Sequence, residues 1–133
     1  MTTFLERYGL VQYHKTRHGR YERGGPCELD GPGARYCGEL VLDHCHEHGW
    51  IRGVICQGWN MSLAGPHGYE TSLRTGAVRF ECRHVHRVQV SADRCTTSLR
   101  RASDPWLRVS SYLGNCPDCW IPEPVIRFPV LAL

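Results

Sequence analysis

The feature that most limits the fold is a stretch in which two β-type runs surround a histidine-rich loop. The runs are residues 39–43 and 50–55, and the loop between them reads Cys-His-Glu-His-Gly at 45–49. Residues 56–64 then contain no β-branched run, and Gly65-Pro66 would end a helix there. The order predicts a strand, a tight turn, a returning strand and a short helix, which is a ββα unit.

The length and composition favour one small globular domain. The chain has 133 residues, of which 41% are hydrophobic and 22% are charged, unlike a disordered or a membrane protein. No apolar run approaches the length of a membrane span. The sequence begins Met-Thr-Thr-Phe-Leu-Glu-Arg, without the basic and apolar segments of a secretory signal, so we expect a cytoplasmic protein.

The remainder of the chain divides around this ββα unit. We expect an α+β fold in which a small finger carries a mixed, loop-rich C-terminal appendage. Alternation of side chains over residues 78–90 predicts a strand, whereas Asp104 as N-cap and Pro105 as first residue predict a helix over 104–113. The expected divisions are a basic N-terminal arm with a short helix at 1–26, a core at 27–65, and an extension with a Pro-rich tail at 66–133.

Three polar side chains are expected to meet at one end of the predicted hairpin. Asp43 and His44 end the first strand, and Asn60 lies on the helix that follows the second strand. Carboxylate and amide oxygens suit a hard divalent cation such as Mg²⁺, which binds substrate phosphate directly. A neighbouring neutral imidazole can take a proton from water that attacks phosphorus. The combination predicts a one-metal phosphodiesterase.

These residues resemble the core of the His-Me finger (ββα-metal, HNH-like) nucleases, and specifically the recombination endonuclease VII family. The similarity covers about residues 27–65, where Asp43-His44-Cys45-His46, Gly49, Arg52-Gly53, Cys56 and Asn60 follow the order of the family motif. The resemblance implies that Asp43 and Asn60 hold the divalent ion, that His44 is the general base, and that His46 contacts the scissile phosphate. It also implies DNA as the partner and a homodimer with two active sites.

The cysteines depart from that family pattern. The family binds a structural zinc ion through four cysteines, but here only Cys27 and Cys56 match, and Asp30 and Trp59 replace their partners. If the hairpin folds about Glu47, Cys37 lies beside Cys56, so Cys27, Cys37 and Cys56 are expected to share a zinc ion. The fourth ligand would be Asp30, Cys116 or Cys119. The alternative to this zinc site is a disulfide between Cys37 and Cys56.

Other cysteines and histidines receive plainer interpretations. Cys116 and Cys119 have the spacing of a zinc knuckle, but no second pair stands nearby in the sequence. Cys45 is interpreted as a tolerated substitution, and His48 as a solvated loop residue. His84 and His86 can bind metal, although a partly buried packed pair is the commoner arrangement.

Arginine supplies nearly all of the positive charge. The formal net charge is +3, with fifteen Arg and Lys15 as the basic residues. The candidate phosphate contacts are Arg52 and three arginines on one face of the predicted strand, which are Arg79, Arg83 and Arg87. A strand face that is simply solvated would show the same arginine pattern.

The leading functional hypothesis is a metal-dependent DNA endonuclease that hydrolyses phosphodiester bonds in branched or distorted DNA. The alternative is a catalytically weak nucleic-acid-binding or zinc-binding interaction module that keeps the finger as a scaffold. The altered cysteines favour the alternative, whereas the presence of Asp43, His44 and Asn60 together favours the enzyme.

Overall fold

The computed structural model describes residues 27–30 and 39–132. The arm and short helix predicted for residues 1–26, and Cys37 with its predicted zinc or disulfide bonds, lie outside the described residues. No helix in the described ranges is long and apolar enough to cross a bilayer.

An antiparallel hairpin forms the centre of the fold, as predicted. Strand β1 (Leu40–His44) pairs with strand β2 (Ile51–Cys56), with Leu40 opposite Cys56. The Gln57 amide donates to the Glu39 carbonyl, so residue 57 lies opposite residue 39. The prediction placed residue 57 opposite residue 37, and the observed register is therefore offset by two residues. The predicted register assumed symmetry about Glu47 and took no account of the bulge near the turn.

That bulge lies at the end of the hairpin where the candidate site is found. Asp43 pairs with Gly53 and His44 pairs with Ile51, so Arg52 has no partner across the hairpin. An extra residue in one strand bends the hairpin locally and redirects a side chain, which is why bulges are common beside functional sites. Here the redirected side chain is a buried arginine.

Two short helices follow the hairpin. Helix α1 (Gln57–Leu63) begins directly after β2 and completes the predicted ββα unit, and helix α2 (Tyr69–Arg74) was not predicted. Together with the elements that follow, they make the fold α+β, as the sequence indicated.

The prediction for the C-terminal half is confirmed in part: residues 104–113 are helical and the helix ends at Leu113, but its beginning and the predicted strand are wrong. The strand predicted over residues 78–90 is only strand β3 (Arg79–Glu81), which pairs in parallel with strand β4 (Val125–Arg127). Helix α3 (Gln89–Leu113) is 25 residues long, so it begins 15 residues before the helix predicted over 104–113. Pro105 lies inside this helix rather than at its first position.

Tertiary packing explains the difference. Buried or half-buried residues recur along α3 at helical spacing, so one face of the helix is covered by the rest of the domain. That burial outweighs the cost of the missing Pro105 N–H donor. The members of this face are Ala92, Leu99, Ser103, Trp106, Val109 and Leu113.

The core lies between α3 and the hairpin. Val109, Tyr112 and Leu113 from α3 pack with Ile55 of β2 and with apolar residues of the two short helices. Gly53 permits this approach, because a Cβ atom at that position would lie 2.5 Å from Cε1 of Tyr112. The long helix therefore rests directly on the strand that forms the bulge.

Candidate active site and metal-binding clusters

A cleft of roughly 360 Å³ lies at the bulged end of the hairpin. Three predicted catalytic residues line it: Asp43 from the end of β1, His46 from the turn, and Asn60 from α1. The predicted phosphate contact Arg52 lines it as well. The ββα connection brings these separate positions to one wall. The opposite wall includes Glu70 and Arg74 from α2.

Asp43 is buried at the base of this cleft. Its side chain is 4% exposed, and its Oδ2 atom accepts hydrogen bonds from Arg52 Nε at 2.8 Å and from the Tyr112 hydroxyl at 2.7 Å. Among the described residues, Oδ1 accepts one longer bond, from Arg52 Nη2 at 3.2 Å. Since a carboxylate oxygen can accept two bonds, one lone pair of Oδ1 has no partner among those residues.

Arg52 connects Asp43 with the second wall of the cleft. The same guanidinium donates from Nη1 to Glu70 Oε1 at 2.8 Å. The Arg52 side chain is only 2% exposed, and despite burial its two carboxylate partners raise its pKa above the ordinary value. Arg52 therefore orients Asp43 and Glu70, and its expected contact with nucleic acid stays a prediction.

Glu70 is a half-buried acidic residue of the cleft that the sequence motifs did not indicate. Burial opposes its ionisation, but Arg52 and Arg74 together lower its pKa. Arg74 reaches Glu70 Oε2 with Nε at 3.0 Å. No motif spacing identified Glu70, because only the packing of the unpredicted helix α2 brings it to the cleft.

Tyr112 is a second unpredicted contributor. It lies on α3, is 5% exposed, and donates its hydroxyl hydrogen bond to Asp43 from below the cleft. Burial, reinforced by the negative charge of Asp43, raises the pKa of Tyr112 well above its ordinary value. The hydroxyl therefore remains a neutral donor.

His44 and His46 lie side by side next to Asp43. Their ring centroids are 4.6 Å apart with the planes inclined at 45°. His46 is exposed and lines the cleft, whereas His44 is half-buried at the end of β1. Partial burial, followed by the influence of His46, lowers the pKa of His44.

The position of the expected family zinc site contains three donors among the described residues. The candidate ligand atoms of Cys27, Asp30 and Cys56 lie within 4.8 Å of one another. The Trp59 indole donates to Asp30 Oδ1 at 2.9 Å, and the Cys56 amide donates to Cys27 Sγ at 3.2 Å. Structural zinc requires four ligands, so the described residues fit this site only in part.

Two further clusters contain residues that the sequence analysis did not connect. Cys116 and Cys119 do have a second pair, which is Cys45 and His48 of the hairpin turn, and the fold brings all four side chains together. His48 is half-buried within this cluster, so its interpretation as a solvated loop residue is corrected. The Cys-x-x-His spacing at residues 45–48 was the available signal.

The third cluster lies beside β3 and the start of α3. Cys82, His86 and Cys95 form it, with Cys82 Sγ 2.8 Å from His86 Nε2. His84 lies next to His86 with an edge-on ring contact. Groups of cysteine and histidine such as these can hold zinc.

The predicted basic row does not lie on one strand. Arg79 is on β3, but Arg83 and Arg87 follow it in a segment without regular structure. All three are exposed, and Arg79 and Arg83 approach Glu81 at 4.0 and 3.5 Å. Their contact with nucleic acid stays a prediction.

Comparison with known proteins identifies the family. No curated protein and no solved structure gave a significant match to the chain. The sequence profile described as recombination endonuclease VII matches residues 5–81, which is more than half of the 133 residues. This range contains the hairpin, α1, α2 and every residue of the cleft named above. The chain belongs to the recombination endonuclease VII family.

Proposed function

We propose that the protein is a metal-dependent DNA endonuclease that hydrolyses phosphodiester bonds. The family supports a nuclease, and one observation of the site carries the proposal further. Asp43, His46 and Asn60 line a single cleft beside His44. A carboxylate and an amide can hold a divalent ion, and two imidazoles can accept a proton from water and contact a phosphate, so the set can support phosphodiester hydrolysis.

Asp43 and Asn60 are the proposed ligands of a divalent ion such as Mg²⁺. Their oxygen atoms match the preference of Mg²⁺, and the remaining lone pair on Asp43 Oδ1 is consistent with this role. When bound, the ion would neutralise charge on the scissile phosphate and on the leaving oxygen. Glu70 adds a third oxygen donor to the same cleft.

The two histidines have separate proposed roles. His44 accepts the proton of the attacking water. Its half-buried ring lies directly after Asp43 in the sequence and contacts His46 at the cleft, and partial burial lowers its pKa, which favours the neutral form that a base needs. His46 is exposed at the cleft and donates a hydrogen bond to the phosphate. Arg52 and Tyr112 act as positioning residues, since both bind Asp43 and neither is exposed.

Branched or distorted DNA is the proposed substrate, and a homodimer is the proposed working form. Cutting both strands of a junction takes two active sites in a fixed relation, which a symmetric dimer supplies. Exposed arginines would add sequence-independent contacts with the phosphate backbone. These are Arg79, Arg83 and Arg87.

The test compares cleavage of a labelled four-way junction with cleavage of a matched linear duplex in Mg²⁺. We expect cutting that stops when a chelator is added and that resumes when Mg²⁺ is restored. His44→Ala is expected to lose at least 100-fold in rate, because a general base contributes about 10²–10⁴-fold. The ratio of junction to duplex cleavage measures the preference for structure.

His67→Ala provides the matched control. His67 is exposed near the start of α2, so its removal is expected to leave cleavage unchanged. Equal cleavage by wild type, His44→Ala and His67→Ala would contradict the catalytic assignment. Junction binding without cleavage by folded wild type would instead favour a nucleic-acid-binding module.

A further inference from the structure

We propose that Cys45, His48, Cys116 and Cys119 form a structural zinc site that joins the hairpin turn to the segment after α3. We refer to these four residues as the Cys3His cluster. Two of them lie between β1 and β2 and two lie after α3. The proposal does not depend on nuclease activity, since it concerns how the turn is held.

The ligand atoms of the four side chains all lie within 4.8 Å of one another, and four of the distances are close to, or slightly shorter than, the edges of a tetrahedral zinc site. His48 Nδ1 lies 3.4 Å from Cys45 Sγ, 3.4 Å from Cys116 Sγ and 3.3 Å from Cys119 Sγ. Cys45 Sγ and Cys119 Sγ are 3.5 Å apart. With zinc bonds of about 2.3 Å to sulfur and about 2.0 Å to nitrogen, the edges of such a tetrahedron are about 3.5–3.8 Å.

The local backbone supports both ligand pairs. Each pair has two residues between its members, which is a common spacing in structural zinc sites. In the hairpin turn, the Gly49 amide donates to the Cys45 carbonyl at 2.7 Å, and Gly49 has a φ of +79° that favours glycine. In the other pair, the Cys119 amide donates to the Cys116 carbonyl at 3.3 Å.

The surroundings of the Cys3His cluster suit a bound metal. Cys45 and Cys116 are buried, and His48 and Cys119 are half-buried, so the site is closed as structural zinc sites are. Three thiolates would leave a net negative charge on a zinc complex, and Arg74 Nη2 donates to Cys119 Sγ at 3.3 Å. Such outer contacts orient and neutralise metal ligands.

The cluster holds the part of the hairpin that carries the cleft residues. Cys45 lies between His44 and His46 in the sequence. The Trp50 indole also donates to Asp118 Oδ2 at 2.8 Å, which joins the same two segments a second time. Zinc at this position would fix the turn to the segment after α3. The separate group of Cys27, Asp30 and Cys56 supplies only three donors among the described residues.

The first test is the zinc content of the full chain purified under reducing conditions. Cys116→Ser/Cys119→Ser is expected to contain one zinc equivalent per chain less than wild type. Cys82→Ser/Cys95→Ser is the matched control, because it removes two cysteines from the separate cluster beside β3. That control is expected to retain the zinc of the Cys3His cluster, whether or not its own cluster binds metal.

A second measurement keeps the proposal testable if the double variant does not fold. Wild type loaded with Co²⁺ is expected to give the absorption of a tetrahedral site with three sulfurs and one nitrogen. His48→Cys is expected to retain the metal and to show stronger sulfur-to-metal charge transfer, because the site gains a fourth thiolate.

Three results would overturn the proposal. They are a wild type that retains no tightly bound zinc, a Cys116→Ser/Cys119→Ser variant with the zinc content of wild type, and an identical Co²⁺ spectrum for wild type and His48→Cys. None of these results depends on cleavage, so failure of the zinc site and failure of the nuclease assignment are distinguishable.

Discussion

Tyr112→Phe isolates one hydrogen bond beneath the candidate active site. The change removes the hydroxyl that donates to Asp43 Oδ2 at 2.7 Å but leaves the buried ring in place. A hydrogen bond to a charged acceptor contributes about 1.5–3 kcal/mol to stability. Because Arg52 Nε still donates to the same oxygen at 2.8 Å, we expect the lower part of that range, about 1.5–2 kcal/mol.

Urea unfolding at one fixed zinc concentration measures this loss, because a bound metal adds to apparent stability. With a denaturant slope of about 2 kcal/mol/M, the unfolding midpoint should fall by about 0.8–1 M. Tyr69→Phe is the matched control, since Tyr69 packs its ring on Trp59 and Trp106 and should change by less than about 0.5 kcal/mol. Equal midpoints for the two variants would refute the assigned role of the hydroxyl.

The other predictions concern packing and the buried ion pairs, and urea unfolding measures each. Gly53→Ala should lower stability by about 1–3 kcal/mol, since its Cβ would meet Tyr112 at 2.5 Å. Gly58→Ala should raise stability by up to about 1 kcal/mol, because it lies within α1 and, among the described residues, only Cys56 Sγ lies within 4 Å of the added Cβ, at 3.8 Å; a loss would contradict this. Arg52→Ala should cost about 3–5 kcal/mol by removing the cation that pairs with the buried Asp43 carboxylate, and an unchanged midpoint would refute that role.

The hairpin and its helix could be predicted because their signals are local. Strand propensity, the histidine-rich turn and the Gly65-Pro66 stop lie within one continuous segment, so the positions of Asp43 and Asn60 at one end followed from connectivity. The register could not be predicted, because the bulge at Arg52 depends on the burial of its side chain against Asp43 and Glu70.

Helix α3 shows the opposite case. Its first half has little apolar periodicity, and Pro105 suggested a beginning rather than an interior position. Alternation over residues 78–90 suggested one long strand, but among the described residues only Arg79–Glu81 pairs as a strand, with β4, and His86 adds an isolated bridge to Leu131. A strand needs a neighbouring strand to hydrogen-bond its backbone N–H and C=O groups. Alternation in the sequence does not show how long that neighbouring strand is.

The sequence by itself determined the ββα unit, the α+β class and the residues that identify the family, since these depend on the order and spacing of neighbouring residues. Only the tertiary structure decided that Glu70 and Tyr112 meet Asp43, and that Cys45 and His48 meet Cys116 and Cys119. These contacts join residues far apart in the chain. Packing of α2 brings Glu70 to the cleft, and burial of α3 against the hairpin brings Tyr112 and the two cysteines after it to the turn.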